Sequence, residues 1–387
     1  MDDSPRRIAD YGFLSDCRSA ALVSRDGSVD WWCPGRFDAA SVFARLLDER
    51  AGHWSIRPAV PFRAQREYLA GTLVLRTVFD TAEGRVAVTD ALAQAPGTLG
   101  HDLGVAAPRV LLRRVEGIAG TVPVRMEYAP RMEYGRVTPR MAVVDGDLLA
   151  SGGPAVLRLA GPETGGLAVG AGTATADLTV AAGDAYGWSL GYAPAYAAGD
   201  PVRLDPRQGL ADTAAAWCSW GDLHRAYDGW RTDLVRHSAV VVQGLTYRPS
   251  GAVVAAPTTS LPEELGGDRN YDYRYAWLRD FTLTMRALWV AACPDEAEAL
   301  FAWVASATGY LGDNPMPIMY GIEGERDLTE RSLDHLAGFA GSRPVRVGNE
   351  AWRQRQHDVL GEVLDAAYLF RDRLGPLPDE IRTLLVQ

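Results

Sequence analysis

The residues best suited to bind a polar ligand are concentrated in one stretch, residues 271–280. It reads Tyr-Asp-Tyr-Arg-Tyr-Ala-Trp-Leu-Arg-Asp, so three tyrosines, a tryptophan, two arginines and two aspartates stand within ten positions. Flat aromatic faces stack on the CH groups of a sugar, while charged groups offer its hydroxyls directional hydrogen bonds. The stretch therefore predicts contact with a carbohydrate.

Arg279 and Asp280 are the charged candidates at the end of this stretch. A guanidinium fork can donate to two oxygens, and an ionised carboxylate can accept from two hydroxyls. The neighbouring Tyr275 and Trp277 would supply the apolar faces. An alternative for Asp280 is a purely structural role as the N-cap of a helix that starts at Phe281.

The elements after this stretch are predicted to be helical. Phe281, Met285, Leu288 and Ala292 are four, three and four positions apart, which places them on one helical face. A second helix is expected from Asp295, and a third apolar stripe covers residues 352–370. The irregular segment between them, residues 309–349, has the length typical of a functional loop.

The first half of the chain carries strand signals instead. Two pairs of apolar runs flank tight turns, residues 20–33 around Asp26-Gly27 and residues 72–92 around residues 80–84. Strands without intervening helices favour an antiparallel sandwich. We predict a sheet domain over residues 1–205, a helical linker over 206–250 and a helical domain over 251–387.

Composition excludes several functions. The formal charge is −10, and the basic residues form no cluster, so nucleic acid and anionic membranes are not expected partners. All 39 basic residues are Arg, which excludes a Schiff-base or P-loop lysine. The N-terminus lacks a signal-peptide pattern, so we expect a cytoplasmic protein. His335 and His357 stand alone, and neither a metal nor a cofactor is expected.

One motif suggests different chemistry. Residues 187–191 match the serine-hydrolase elbow G-x-S-x-G, with Ser189 as the nucleophile. That elbow needs a strand-to-helix turn, whereas Tyr186, Trp188, Leu190 and Tyr192 alternate as on a strand. An esterase is therefore the weakest hypothesis.

The Trp-Leu-Arg-Asp element at residues 277–280 resembles the signature of glycoside hydrolase family 15, the glucoamylase and trehalase family. Residues 8–12, 16–23 and 27–34 resemble the opening of its bacterial members, and residues 343–348 resemble a pocket-rim segment. The resemblance implies an N-terminal antiparallel β-sandwich followed by an (α/α)6 barrel of twelve helices. It also implies a set of substrate-binding residues: Tyr275, Trp277, Arg279, Asp280, Tyr320 and Arg343.

The catalytic residues implied by the resemblance are two glutamates, an acid and a base, acting with inversion. The acid of the family lies in a Trp-Glu dipeptide, which this sequence lacks. We therefore expect both glutamates beyond Gln387, after a helix opening at Pro378, and an incomplete barrel. The alternatives for its missing half are a separate polypeptide that completes the barrel, a truncated gene model and a real loss. The best substitutes within the chain are Glu323, Glu325 and Glu330.

Two hypotheses follow. The first is a cofactor-independent hydrolase of an α-glucosidic bond, with trehalose favoured and α-1,4 and α-1,6 glucosides left open. The second is a non-catalytic carbohydrate-binding or assembly protein that keeps the pocket without the catalytic pair.

Overall fold

The computed structural model describes residues 7–308, apart from residues 163 and 198, and residues 316–374. The chain divides into two units, the first ending at Trp220 and the second beginning at Gly221. No helix within these described ranges is long and apolar enough to cross a membrane.

The first unit consists mainly of antiparallel strands. They are β1 (Gly12–Ser15), β2 (Ala20–Val23), β3 (Ser28–Trp32), β4 (His53–Pro58), β5 (Phe62–Tyr68), β6 (Leu75–Thr81), β7 (Gly84–Leu92), β8 (Val110–Ala129), β9 (Arg140–Val144), β10 (Asp147–Gly152), β11 (Ala155–Ala160), β12 (Ala168–Gly170), β13 (Thr173–Ala181) and β14 (Ala185–Pro194). The helices are a single turn, α1 (Met132–Gly135), and α2 (Pro206–Leu223). All fourteen strands belong to one hydrogen-bonded network.

The long strand β8 organises this network. Its first part pairs with β7 and β14, and its second part pairs with β4 and β13. Between the two parts, a Cβ at Gly117 would lie 1.9 Å from the carbonyl oxygen of Ala181, so the neighbouring backbone leaves room only for glycine. Leu111 and Val115 from the first part and Val122 and Met126 from the second join one hydrophobic core.

A buried ion pair joins the adjacent strands β7 and β8. Arg113 on β8 and Asp90 on β7 are both fully buried, with Nε 2.8 Å from Oδ1. Arg113 also donates from Nη2 to the carbonyl of Gly27 (2.8 Å) and from Nη1 to that of Trp54 (2.5 Å). Its guanidinium lies 5.1 Å from the centre of the Trp54 ring. Burial raises the pKa of Asp90, and Arg113 opposes this shift.

Local predictions for this unit are confirmed. The first predicted hairpin forms as β2 and β3, and Gly27 in its turn has a φ of 79°, which glycine adopts without strain. The G-x-S-x-G motif lies within β14, where Ser189 is buried and accepts a hydrogen bond from the amide of Leu204. The strand interpretation is therefore right, and the motif is not a nucleophile elbow.

The second unit contains α3 (Thr232–Gly244), α4 (Leu278–Val290), α5 (Pro294–Thr308) and α6 (Asp358–Leu374). Its short strands are β15 (Thr246–Tyr247), β16 (Ala252–Val253), β17 (Ala276–Trp277), β18 (Met319–Tyr320), β19 (Arg331–Ser332) and β20 (Arg346–Val347). Phe281, Met285 and Leu288 of the predicted apolar face of α4 are buried, with the Phe281 ring 6.1 Å from that of Phe301 on α5. Ala292, the fourth predicted member, lies beyond the end of the helix. Described residues 316–349 contain no α-helix, as predicted. The helix expected at Pro378 lies outside the described residues.

An antiparallel sheet domain followed by a helical part is thus confirmed. The described part of the chain contains six α-helices in all, so it does not establish the twelve-helix barrel.

Replacing Arg113 by Met should destabilise the sheet unit strongly, because the Asp90 carboxylate would stay buried without its partner. We expect a loss of about 3–5 kcal/mol in unfolding free energy, measured from the urea transition. The matched control is Arg125→Met, on the same strand, whose partner Asp177 is exposed. That change should cost at most about 1 kcal/mol. Equal losses in the two variants would show that the buried pair has no special role.

Candidate functional site

Residues 271–274 alternate in burial, as side chains of an extended segment do. Asp272 and Arg274 are fully buried, whereas Tyr271 and Tyr273 are partly exposed. The stretch ends in β17, which pairs with β18. We call the buried Asp272 and Arg274 the inner set. We call Tyr273, Trp277, Arg279 and Asp280 the outer set.

The inner set is a bidentate ion pair. Arg274 donates from Nε to Oδ1 of Asp272 (2.8 Å) and from Nη2 to Oδ2 (2.7 Å). The amide of Gly348 also donates to Oδ2 (3.3 Å), and Nδ2 of Asn349 donates to the carbonyl of Asp272 (3.0 Å). The pair therefore ties the stretch to residues 348–349 at the end of the irregular segment.

Arg346 makes a second connection between the same two segments. Its Nε lies 2.8 Å from Oε1 of Glu330, and Nη1 donates to the carbonyls of Asp268 (2.9 Å) and Asn270 (3.1 Å). Its guanidinium lies 5.2 Å from the centre of the Tyr271 ring, in cation–π contact. The irregular segment is thus held against residues 268–272 by charge-assisted hydrogen bonds.

The outer set adjoins an open cleft of about 270 Å³. Trp277 and Asp280 both line it, and the ring of Tyr273 lies 5.4 Å from that of Trp277. Most of the remaining lining is apolar and comes from α3, α4 and α5. The volume lies just below the ~300–1,000 Å³ typical of small-molecule sites, so one sugar ring suits it better than two.

Asp280 does not cap its helix. The helix α4 begins at Leu278, Trp277 is its N-cap residue, and Asp280 lies in the first turn. The expectation of a helix that starts at Phe281 with Asp280 as N-cap is wrong, because the chain turns helical directly after β17. Burial raises the pKa of the Asp280 carboxyl above its ordinary value, and the charge of Arg279 opposes this shift.

Arg279 extends from the same turn toward the start of α6. Its Nη1 donates to Oε1 of Gln356 (3.0 Å) and to Oδ2 of Asp358 (3.3 Å). The Arg279 and Asp358 side chains are 44% and 51% exposed, so solvent and ligands can reach both. Arg279 and Asp280 are therefore neighbours with different surroundings.

The other three predicted site residues are placed differently. Tyr275 is buried. Tyr320 is fully buried beside Trp303, and this burial raises the pKa of Tyr320 to about 12. Arg343 is exposed and donates to the carbonyl of Ala337. None of the three lines the cleft, and their sugar contacts stay predictions.

The three glutamates considered as substitute catalysts all have structural hydrogen bonds. Oε1 of Glu323 accepts from the Tyr247 hydroxyl (3.0 Å), and Oε2 of Glu325 accepts from the amide of Glu323 (3.0 Å). Glu330 is paired with Arg346. Each of these carboxylates therefore supports the backbone or a neighbouring side chain.

Sequence reasoning missed Tyr273 and Arg346. The two-residue alternation of residues 271–274 would have placed Tyr273 on the same side as Tyr271, opposite the buried Asp272 and Arg274. Tyr275 departs from this alternation, because it is buried at a bend. Arg346 lies in the same Arg-Pro-x-Arg-x-Gly element as Arg343, but no local pattern indicates that the second arginine contacts the stretch. In the described residues of either unit taken alone, no three His, Cys, Asp or Glu side chains converge to hold a metal ion.

Asp272→Ala should destabilise the helical unit, because Arg274 would be left buried without its carboxylate. We expect a loss of about 3–5 kcal/mol in the urea transition of this unit, with faster amide exchange at Gly348. Glu350→Ala is the control, since Glu350 pairs with Arg353 in solvent and should cost at most about 1 kcal/mol. Unchanged exchange at Gly348 in the Asp272 variant would contradict the proposed connection.

Comparison with known proteins finds a matching family for a part of each unit. Residues 229–383 match glycosyl hydrolases family 15, and residues 1–182 match the trehalase-like N-terminal family. The trehalase of Mycolicibacterium smegmatis (strain ATCC 700084 / mc(2)155) is 38% identical over 408 residues, which cover 98% of this chain and 59% of that protein. The trehalase of Mycobacterium tuberculosis (strain ATCC 25618 / H37Rv) is 36% identical, with 98% and 58% covered. Trehalase 1 of Sulfolobus acidocaldarius is 31% identical over 363 residues, with 93% and 59% covered.

The chain thus spans about three fifths of the length of these relatives. The region matched by the family 15 comparison includes α3–α6, the cleft and the Trp-Leu-Arg-Asp element. The resemblance noted in the sequence is confirmed: residues 229–383 match glycosyl hydrolases family 15, and residues 1–182 match the trehalase-like N-terminal family.

Proposed function

We propose that this chain carries the glucosyl-binding part of a hydrolase of α-glucosidic bonds, with trehalose as the favoured substrate. The observation that carries the proposal is the meeting of Trp277 and Asp280 at one cleft, with Arg279 in the same helical turn. This arrangement lies in the region that matches family 15.

The outer set has the chemistry that a glucosyl unit needs. The indole of Trp277, with Tyr273 beside it, offers an apolar face to the CH groups of a sugar ring. The Asp280 carboxylate accepts hydrogen bonds from hydroxyls, and the Arg279 guanidinium donates to their oxygens. Sugar contacts of Tyr275, Tyr320 and Arg343 stay predictions, since none of the three lines the cleft.

The choice of trehalose is supported by the relatives, since the three described above are all named trehalases. Their similarity extends over the sheet unit as well as the helical unit. Glucosides with α-1,4 and α-1,6 bonds are the alternative substrates, because the contacts proposed here concern only one glucosyl unit.

We propose hydrolysis with inversion, in which one carboxylic acid protonates the leaving oxygen and one carboxylate activates water from the opposite face. We assign neither role to Glu323, Glu325 or Glu330, because each supports the backbone or a neighbouring side chain. The second candidate is a carbohydrate-binding protein without catalysis. It is favoured by the structural contacts of these three glutamates.

The finer fold assignment belongs to the same proposal. We propose that the sheet unit is a β-sandwich, supported by the core that both parts of β8 share. We propose that the helical unit is part of an (α/α)6 barrel, supported by the family match and by the packing of α4 against both α5 and α6. The division at residues 205 and 250 stays a prediction.

Asp280→Ala should weaken glucose binding at least about tenfold, because a charged hydrogen bond to a hydroxyl is lost. The dissociation constant would be measured by ligand-observed NMR. Asp295→Ala is the matched control, since Asp295 lies in the first turn of α5 and any effect on the helix dipole would be shared. Equal affinity in the two variants would leave Asp280 with a helical role only.

The affinity for glucose should also depend on pH. Because the raised pKa of Asp280 means that its carboxylate gains a proton at a higher pH than an exposed aspartate, binding should weaken as the pH falls toward and through that pKa. The midpoint should lie above ~3.9, the value of an unperturbed aspartate. Glucose does not titrate in this range, so a flat profile would show that ionised Asp280 is not required.

Inversion predicts the first products of hydrolysis. Attack on one glucosyl unit of α,α-trehalose should release one β-glucose and one α-glucose per turnover, observable by proton NMR before mutarotation. Two α-glucose molecules would contradict inversion. Glucose binding without any release from trehalose, maltose or isomaltose, in a protein that also contains the two expected catalytic glutamates, would favour the non-catalytic alternative.

A further inference from the structure

We propose that Gln356 and Asp358 are positioning residues that hold the Arg279 guanidinium ready for two adjacent oxygens of the bound glucosyl unit. The inference rests on the proposed function and extends it to two residues that lie outside the Trp-Leu-Arg-Asp element.

The geometry at the start of α6 carries the argument. Both protons of Nη1 of Arg279 are used, one toward Oε1 of Gln356 (3.0 Å) and one toward Oδ2 of Asp358 (3.3 Å). The amide of Gln356 is oriented in turn, because its Nε2 donates to Oε1 of Gln354 (3.1 Å). Two acceptors on one nitrogen restrict the rotation of the planar guanidinium.

The other donors of Arg279, on Nε and Nη2, form an edge suited to bind a ligand. A guanidinium has five N–H groups, and the side-on pair of Nε and Nη2 matches two oxygens at once. Within the described residues, Nε and Nη2 of Arg279 have no hydrogen-bond partner. Gln356 and Asp358 thus bind only Nη1 of Arg279, and the edge formed by Nε and Nη2 stays open for two oxygens.

A stabilising role alone explains these contacts poorly. The side chains of Arg279 and Asp358 are about half exposed, and such ion pairs typically contribute only ~0–1 kcal/mol. The same two helices already have a second ion pair, between Arg286 and Asp365. Arg286 follows Arg279 by seven residues on α4, and Asp365 follows Asp358 by seven residues on α6. Seven residues are about two helical turns.

This second pair provides the matched control. Arg286 and Asp365 connect the same helices with similar exposure, 51% and 41%, but they lie about two helical turns farther from the first turn of α4, which contains Asp280. If the contacts of Arg279 only join α4 to α6, Asp358→Asn and Asp365→Asn should behave alike. If they position Arg279, only the change at Asp358 should alter sugar binding.

The test measures glucose affinity of the whole chain by ligand-observed NMR, with urea stability measured in parallel. Asp358→Asn and Gln356→Ala should each weaken binding by about three- to tenfold, the range of one ordinary hydrogen bond, because the contacts of Arg279 with the sugar would be loosened and not removed. Asp365→Asn should leave the affinity unchanged, and Asp358→Glu, which keeps the carboxylate, should recover part of the loss.

A double-mutant cycle separates positioning from a general loss of structure. In an Arg279→Ala background, Asp358→Asn should cause no further loss of affinity, because the group that it positions is gone. Additive losses, or equal losses in the Asp358 and Asp365 variants, would overturn the inference while the proposed function stands. Absence of glucose binding by the unsubstituted chain would refute the proposed function itself, and the inference with it.

Discussion

The buried ion pair between Asp272 and Arg274 is the constraint on which the candidate site depends. Two charges removed from water are tolerated only when they pair closely and their remaining hydrogen-bonding capacity is met. Here the bidentate contact and the amide of Gly348 meet that condition for the carboxylate. Because the two residues are two apart in an extended stretch, their burial forces Tyr271 and Tyr273 toward the open side.

The change from strand to helix directly after this pair explains how ten residues supply both kinds of sugar contact. Trp277 ends β17 and is the N-cap residue of α4, so its ring position is fixed by strand pairing. Arg279 and Asp280 follow in the first helical turn, where the helix dipole favours the negative charge of Asp280. The aromatic face and the charged pair therefore come from different secondary structures with a single residue, Leu278, between Trp277 and Arg279.

Much of this could be predicted from the sequence where local chemistry decides the structure. The hairpin at Gly27, the strand that contains Ser189 and the buried face of α4 follow from turn residues and periodicity. The contacts of Arg346 with residues 268–271, and those of Arg279 with Gln356 and Asp358, could not be predicted, because each joins residues 75 or more positions apart. The start of α4 was misjudged because aspartate is a frequent N-cap, whereas here the preceding strand determines where the helix begins.

The most direct test of the account is a crystal structure of this chain with 1-deoxynojirimycin, a glucose-like iminosugar. The account predicts the ligand in the cleft, with its ring against Trp277, its hydroxyls within hydrogen-bonding distance of the Asp280 carboxylate, and two of them at Nε and Nη2 of Arg279. A ligand bound elsewhere, or bound in the cleft with Asp280 and Arg279 both remote from its hydroxyls, would contradict it.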